Sequence, residues 1–465
     1  MREWKIPACA YRFGTADSAL LLFFGMSYLY RYGDRDLYEH ILRSDGVLPF
    51  RFPFVDISGA LAAWECARHG VDVILSDPCD VLHRGYNYSP AWMTLSVIPL
   101  GVEDTTWVGW GLDIIFLLSL SLLPPPRRLL DLVLVLAATL STMVVFALER
   151  ANPDILVFLL VLATGLLTEY RLFMRLFGYF LGLVAALIKY YPAMVLVVAF
   201  REQVTTFRLV GLAIVGAFAV FWVEYHVDIA RGLPNIARGP YNTDLFSAQN
   251  LPFLLGEVVG NATASPLVER VAARGLYAAL VGACVAICWR LLRFGELCAA
   301  LASLSGLERV LLVIGSAVIV GCFFAGQSVG YRGVFLLLVI PGLLTMSRAS
   351  SLELRNLGLG TSGIIVLLMW SECLRFALSR ALERFGMSEA LVGQLQIQFW
   401  LLRELSWWWS VSVMLAVLAD FVLGSPAVRS MSGLVGVAAF FAGTQGGRLR
   451  EVSRTVPVLL VENSL

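Results

Sequence analysis

The sequence predicts an all-α fold, a polytopic integral membrane protein with about 11–12 membrane-spanning helices. The 465 residues are 58% hydrophobic and 15% charged, and the mean hydropathy is +0.77. Soluble domains carry about 25% charged residues and fewer apolar ones. Here the apolar residues lie in long runs, as expected for helices that cross a bilayer. The net charge of +1 provides no basic surface, so nucleic acid is not a predicted partner.

Each predicted span is an apolar run of about 14 to 23 residues. The runs are residues 17–32, 105–123, 129–147, 155–168, 173–189, 208–224, 276–292, 309–325, 333–347, 356–371 and 398–420. Residues 192–200 are few for a crossing. Counting them as a twelfth span nevertheless returns the chain to the inside, where its basic connectors should lie. Residues 90–102 could form a short in-plane or half-buried helix.

The short connectors carry their arginines on one side, which predicts that this side is cytoplasmic. The basic residues are Arg127, Arg128, Arg171, Arg175, Arg201, Arg208, Arg290, Arg293, Arg348 and Arg355, together with Arg2, Lys5 and Arg12. The long loops 33–89, 225–275 and 372–397 then face the periplasm or an equivalent compartment. We therefore expect a multi-pass protein of the inner (plasma) membrane. Residues 1–423 would form its transmembrane domain, and residues 424–465 a cytoplasmic tail or surface helix.

The first outer loop, residues 33–89, concentrates side chains that could do chemistry. Asp56 stands out because its direct neighbours are apolar. A partly desolvated carboxylate at a membrane boundary suits a general base that takes a proton from a hydroxyl group. The alternative is a helix N-cap, because a helix-like run follows Asp56. Asp34 and Asp36 are the competing carboxylates in the same loop.

A second polar segment, residues 149–154, separates two apolar runs on the predicted outer side. Asn152 is a favourable N-cap and Pro153 a favourable first residue, so a helix should begin here with its positive end exposed. Arg150 beside that end would form a phosphate-binding corner. The alternative is a capped turn in which Glu149 and Arg150 are merely solvated.

Two further groups on the outer side carry rare or charged side chains. The chain has two lysines against thirty-three arginines, and Lys189 ends an apolar run. An ionisable group at this depth usually faces a cavity or a partner, so Lys189 could bind a lipid phosphate; snorkelling is the alternative. Tyr331 and Arg332 could also contact a phosphate or sugar, or only anchor the chain at the interface. Residues 240–250 offer groups suited to sugar hydroxyls or to a turn-rich loop.

Cys66 and Cys79 both lie in the first outer loop and could form a disulfide on an oxidising face, the alternative being two free thiols. No phosphate-binding glycine loop and no HExxH motif is present, and the sequence predicts neither a cofactor nor a metal site. No soluble segment is long enough to bind a nucleotide sugar. A sugar donor would therefore have to be a membrane lipid.

Taken in order, these motifs resemble glycosyltransferase family 87, the polyprenol-phosphate-mannose-dependent mannosyltransferases of the GT-C superfamily. The similar segments are Asp56, Gly70-Val71-Asp72, Asp77-Pro78-Cys79-Asp80, Asn87-Tyr88-Ser89-Pro90, Glu149-Arg150-Ala151-Asn152-Pro153-Asp154, Ile188-Lys189-Tyr190-Tyr191-Pro192, Ser247 to Asn250 and Gly330-Tyr331-Arg332. The departures are Ala151 where the family usually has Gly, Ser89 where Pro is common, and Gly330 where an acidic residue often precedes Tyr-Arg.

The resemblance implies a GT-C-like helical bundle with short periplasmic helices in the first outer loop and Asp56 as general base. It implies donor-phosphate contacts from Arg150, Lys189 and Arg332. It also implies substrate contacts from Asn87, Tyr88, Asn152, Asp154, Tyr191, Gln249, Asn250 and Tyr331. The implied partners, besides membrane lipids, are a polyprenyl-phosphate hexose, with mannose as the first choice, and a glycolipid or glycan acceptor. A lipid-linked glycan transporter (flippase) or a glycan polymerase or ligase is the alternative.

Overall fold

The computed structural model describes residues 8–50, 52–236, 239–241, 243–293 and 295–432. It is 79% helical, and its described part contains no β-strand, only an isolated antiparallel bridge between Phe246 and Ser328. The predicted all-α class is therefore confirmed. Arg2, Lys5 and residues 433–465, which include most of the predicted cytoplasmic tail, lie outside the described residues.

The described chain forms eighteen α-helices and six short 3₁₀ helices. The α-helices are α1 (Ala8–Tyr32), α2 (Arg35–Ser44), α3 (Val55–Arg68), α4 (Thr105–Ser119), α5 (Leu129–Thr139), α6 (Thr142–Arg150), α7 (Pro153–Leu167), α8 (Leu172–Ile188), α9 (Val204–Gly232), α10 (Asn250–Thr263), α11 (Pro266–Arg293), α12 (Gly295–Ser303), α13 (Gly306–Ala325), α14 (Leu336–Met346), α15 (Leu352–Met369), α16 (Ser371–Arg384), α17 (Glu389–Leu423) and α18 (Pro426–Ser432). The 3₁₀ helices are Pro90–Val97, Val102–Asp104, Leu120–Leu122, Tyr191–Arg201, Leu233–Asn235 and Gly330–Phe335.

Six helical stretches of the described chain are long and apolar enough to cross a membrane, or seven if the pair α5 and α6, bent by 40°, counts as one span. The six are Val102–Leu122, Val204–Asn235, Pro266–Arg293, Gly306–Ala325, Leu352–Met369 and Glu389–Leu423. By their length and composition, these helices support the predicted multi-pass membrane protein.

The number of long spans is smaller than the predicted 11–12. Four predicted spans fall in shorter apolar helices, which are Pro153–Leu167, Leu172–Ile188, Tyr191–Arg201 and Gly330–Met346. Even the 17 residues of α8 extend only about 26 Å, against about 30 Å for the bilayer core. Apolar composition alone therefore overestimated the number of long spans, because it also marks helices that are too short to cross the bilayer core.

The helix α13 lies at the centre of the bundle, and 78% of its most apolar 18-residue stretch is buried. It packs against α7, α14 and α17. By contrast, only 11% of the corresponding stretch is buried in α9 and in α11, so most side chains of these two helices face outward. Such a gradient is expected when outward-facing apolar residues contact lipid instead of protein.

The first predicted outer loop contains two of the expected short helices, α2 and α3. Cys66 at the end of α3 forms a disulfide with Cys79, so the two-thiol alternative is wrong. The short helix expected within 90–102 is present as the 3₁₀ helix Pro90–Val97. Within it, Trp92 Nε1 donates a hydrogen bond to the Ile188 carbonyl at 3.1 Å, which fixes the loop against the end of α8.

Candidate functional site

Asp56 lies in the first turn of α3 and is only 6% exposed. Its Oδ2 accepts a hydrogen bond from Asn152 Nδ2 at 2.6 Å. Its Oδ1 lies 3.3 Å from Arg84 Nη1 and 3.8 Å from Arg150 Nη1. The carboxylate therefore faces other parts of the chain and is surrounded by donors.

The alternative interpretation of Asp56 as a helix N-cap is wrong. The N-cap of α3 is Phe54, in a left-handed conformation with φ 65° and without a side-chain cap. Among the three candidate carboxylates, the one that caps a helix is Asp34. It is the N-cap of α2, and its carboxylate accepts from the Leu37 amide at 3.0 Å. Asp34 and Asp36 are both exposed, so Asp56 is the buried carboxylate among the three candidates.

The segment between α6 and α7 brings Arg150, Asn152 and Asp154 to the same place. Ala151 turns the chain in a left-handed conformation with φ 43°. As predicted, Asn152 caps α7 by accepting from the Asp154 amide at 2.8 Å, and Pro153 is the first helical residue. The alternative with solvated charges is wrong, since Glu149 is 7% exposed and the Arg150 side chain 18%.

Asp154 is fully buried and lies between two cations. Its Oδ1 is paired with Lys189 Nζ and accepts from the Tyr191 hydroxyl at 2.7 Å, while Arg332 Nε lies 3.5 Å from Oδ2. Lys189 also donates to Asn152 Oδ1 at 3.4 Å. The snorkelling alternative for Lys189 is therefore wrong, because its ammonium is buried against protein partners.

Aromatic rings complete the surroundings of these cations. The ring of Tyr88 lies 5.3 Å from Lys189 Nζ, and the ring of Tyr191 lies 4.9 Å from the guanidinium of Arg332. Tyr331 packs its ring against Phe146, which in turn lies 4.3 Å from the Arg150 guanidinium. Such cation–π contacts orient a cation without neutralising it.

Asn87, Gln249 and Asn250 do not contact the Asp56 and Asp154 carboxylates. Asn87 is exposed. Gln249 is half-buried beside Asn250, whose side chain donates to the Leu245 carbonyl at 2.9 Å. Phe246, the residue after Leu245, forms the bridge to Ser328. Ser328 Oγ in turn accepts from Arg332 Nη1 at 2.8 Å. Asn250 therefore supports the loop that holds Arg332.

Arg84 is a site residue that the sequence did not reveal. Besides Asp56, it contacts the Val55 carbonyl at 2.8 Å and Asp80 Oδ2 at 2.8 Å. Burial raises the pKa of Asp80, but the hydrogen bonds and charge of Arg84 outweigh it and hold that pKa below its usual value. No sequence signal marked Arg84, because residues 80–84 do not form a helix, in which a spacing of four residues would have paired it with Asp80.

The described chain brings Cys66, Asp77 and Cys79 within 4.8 Å of one another, which resembles a metal-ligand group. The two sulfur atoms are bonded to each other, however, and so are not thiolate ligands. Asp77 instead accepts from the amides of Cys79 and Asp80, each at 3.2 Å. This group therefore stabilises the loop.

Comparisons of the chain with protein-family models, with curated proteins and with solved structures gave no match. The conclusions about the site therefore depend on its own geometry. Asn152 donates to one buried carboxylate, Asp56, and accepts from Lys189, which is paired with a second buried carboxylate, Asp154. Four cations, Arg84, Arg150, Lys189 and Arg332, approach the pair. A proton acceptor suits the deprotonation of a hydroxyl group, and a group of cations suits the departure of an anion. The site therefore suits a reaction that combines the two.

Proposed function

We propose that the protein is a membrane glycosyltransferase that transfers a hexose, with mannose as the first choice, from a polyprenyl-phosphate sugar to a glycolipid or glycan. The active site would face the periplasm or an equivalent compartment. The observation that supports this most directly is the buried Asp56 carboxylate, held by Asn152 beside the cations around Asp154. The order of motifs similar to glycosyltransferase family 87 and the GT-C superfamily supports the same reaction.

The proposed reaction is a single displacement at the anomeric carbon of the donor. Asp56 takes the proton from an acceptor hydroxyl while the hydroxyl oxygen forms a bond to that carbon. The bond from the carbon to the phosphate oxygen breaks, and the polyprenyl phosphate leaves with the electron pair. Inversion of the anomeric configuration follows from a single displacement.

The leaving phosphate requires positive charge that is already in place. Lys189 and Arg332 share one carboxylate, Asp154, so together they carry more positive charge than this partner neutralises. Arg150 lies beside Asp56, close to where the displacement would occur. Donors fixed before the reaction stabilise the developing charge without rearranging. No cofactor and no metal enters the proposed step.

The test is transfer by purified protein in lipid nanodiscs that contain polyprenyl-phosphate mannose and a membrane glycolipid extract. We expect wild type to produce glycolipids heavier by one hexose in mass spectrometry. Asp56→Asn should lower the rate by about 10²–10⁴-fold, because it removes the general base. The matched control is Asp36→Asn, which changes an exposed carboxylate of the same loop and should keep the wild-type rate.

Retention of full transfer by Asp56→Asn would contradict the assignment of Asp56 as the general base.

The second candidate function is a flippase for lipid-linked glycans, which the same cations favour because they would also hold a phosphate during transport. A flippase would move a fluorescent polyprenyl-phosphate sugar between leaflets without forming product, and Asp56→Asn would leave that movement intact. A polymerase or ligase would add an oligosaccharide, which the mass of the product distinguishes.

A further inference from the structure

Arg84 leaves one N–H group free beside Asp56. A guanidinium group carries five N–H donors. In Arg84, Nε donates to Asp80, Nη2 donates to Asp80 and to the Val55 carbonyl, and Nη1 donates to Asp56 Oδ1. These contacts use four of the donors. The second N–H of Nη1 has no hydrogen-bond partner in the part of the chain that the structure describes.

The surrounding residues hold the guanidinium of Arg84 in a fixed position. Asp80 accepts from it through both carboxylate oxygens, at 2.8 and 3.3 Å, and a bidentate contact of this kind fixes the plane of the guanidinium. Gly59 in α3 leaves room for it, because a Cβ atom at this position would lie 2.5 Å from Arg84 Nη2. The direction of the free N–H is therefore set before any ligand binds.

The free N–H and the Asp56 carboxylate together define what a ligand must offer. The Arg84 side chain is 37% exposed and that of Asp56 is 8% exposed, so a ligand meets the guanidinium first. Nη1 and Asp56 Oδ1 are only 3.3 Å apart, so a donor and an acceptor lie side by side. A phosphate or carboxylate would accept from Arg84 but would be repelled by Asp56. Two adjacent hydroxyl groups suit both, because one donates to the carboxylate while the other accepts from the guanidinium.

We propose that Arg84 binds the sugar acceptor, and that the acceptor presents a vicinal diol, which is a pair of hydroxyl groups on neighbouring ring carbons. One hydroxyl donates to Asp56 and is the nucleophile of the proposed reaction. Its neighbour accepts from Arg84 Nη1 and forms no new covalent bond. The inference rests on the proposed function and adds a requirement to it. Acceptors in which the hydroxyl next to the reacting one is already glycosylated are excluded.

The test is sugar binding in the absence of a donor, so its outcome does not depend on transfer. Methyl α-D-mannopyranoside and the analogues that each lack one hydroxyl group are titrated onto the protein in lipid nanodiscs. Saturation-transfer difference NMR gives each dissociation constant. We expect wild type to bind two analogues, deoxygenated at neighbouring carbons, about tenfold more weakly than the parent sugar, because each loses a hydrogen bond to a charged group. The other analogues should bind like the parent sugar.

Arg84→Lys should remove one of these two losses. It keeps a positive charge between Asp56 and Asp80, but a single ammonium does not reproduce the planar set of donors, so no N–H remains for the second hydroxyl. The parent sugar and the analogue that lacks this hydroxyl should then bind equally well. A purely structural role of Arg84 would instead weaken the binding of both sugars by the same factor and preserve their ratio.

A second variant, Gly59→Ala, tests the same contact without changing a charge. Its added Cβ displaces Arg84 Nη2, and the same loss should disappear. Alanine favours helices over glycine, so the variant should still fold. Gly25→Ala is the matched control, because no atom lies within 4 Å of its added Cβ, and it should keep both losses.

Three results would overturn the proposal. They are failure of wild type to bind the parent sugar, losses at carbons that are not neighbours, and persistence of both losses in Arg84→Lys and Gly59→Ala. Failure of the proposed function gives a different result, because wild type would then bind the sugars as expected here and yet form no product in the transfer assay.

Discussion

Asp154 shows how single residues create the candidate site. It has no exposed surface, yet it is surrounded by Lys189 and Tyr191 from one segment and Arg332 from another. Burying a charge is costly unless it is paired and hydrogen-bonded, so this residue brings those segments together. Removal of one partner would leave the others buried without compensation.

Residue types along the chain were enough to predict most of this site. Asp56, Arg150, Asn152 and Lys189 were each marked by a charge or cap next to apolar sequence. Arg84 was not, because an arginine in a polar loop resembles any solvated one and only the folded loop brings it to Asp56. The sequence also left the role of Asp56 open, since a cap and a base use the same residue type.

A stability prediction concerns Asp45, which follows α2 outside the spans. Burial raises its pKa to about 7, even though hydrogen bonds with Cys373 and Thr142 act to lower it. Folded protein therefore holds a proton that the unfolded chain loses above about pH 4, and the free energy of unfolding falls as the pH rises from about 4 to 7. An asparagine at position 45 does not ionise, so its burial does not become more costly as the pH rises.

At pH 8 we therefore expect the free energy of unfolding of Asp45→Asn to exceed that of wild type by about 1–2 kcal/mol, after allowance for partial exposure. The variant should unfold at a higher temperature. At pH 4 the two proteins should unfold at similar temperatures. Thermal unfolding in detergent at the two pH values measures this. An equal difference at both pH values would contradict the titration of Asp45.

At the scale of helices, α13 and α14 pack closely because α13 carries Gly315. A Cβ atom there would lie 2.8 Å from Val339 Cγ2 and 2.9 Å from Leu338 Cβ. Small residues allow helices in membranes to approach in this way. The sequence predicted both helices but not their contact, since a glycine in an apolar run looks the same whether it faces lipid or another helix.

Gly315→Ala should therefore lower the free energy of unfolding by about 1–3 kcal/mol through overpacking. Gly216→Ala is the matched control, since Gly216 lies on the exposed side of α9 with no atom within 4 Å of its added Cβ. The control should be neutral or slightly stabilising, because alanine favours helices over glycine. Thermal unfolding of both variants measures the difference, and equal effects would contradict close packing of α13 and α14.

On the scale of the whole molecule, charged residues form separate groups. Asp56 and Asp154 form one. The connectors form others, in which Arg127 pairs with Glu308 at 3.2 Å, Arg175 with Glu202 at 2.6 Å and Arg201 with Glu169 at 2.7 Å. These acids do not weaken the prediction of a cytoplasmic side, because orientation follows the count of Lys and Arg in short loops and not the net charge.

The predicted orientation can be tested with cysteine substitutions in intact cells. Leu75 is 74% exposed in the first loop, and Tyr170 is 64% exposed in a connector. We expect Leu75→Cys to react with a membrane-impermeant maleimide, and Tyr170→Cys to react only after permeabilisation. Wild type is the control, since the free cysteines of the described chain are buried or half-buried. The reverse pattern would place the candidate site in the cytoplasm.

The disulfide between Cys66 and Cys79 bears on how the protein matures in a cell. It ties the end of α3 to the segment in which Asp80 holds Arg84 beside Asp56. A newly made chain could insert every helix and still lack this covalent link. With the predicted orientation, completion of the candidate site would be a late step of biogenesis, which would wait for thiol-oxidising enzymes in the compartment that receives the loop.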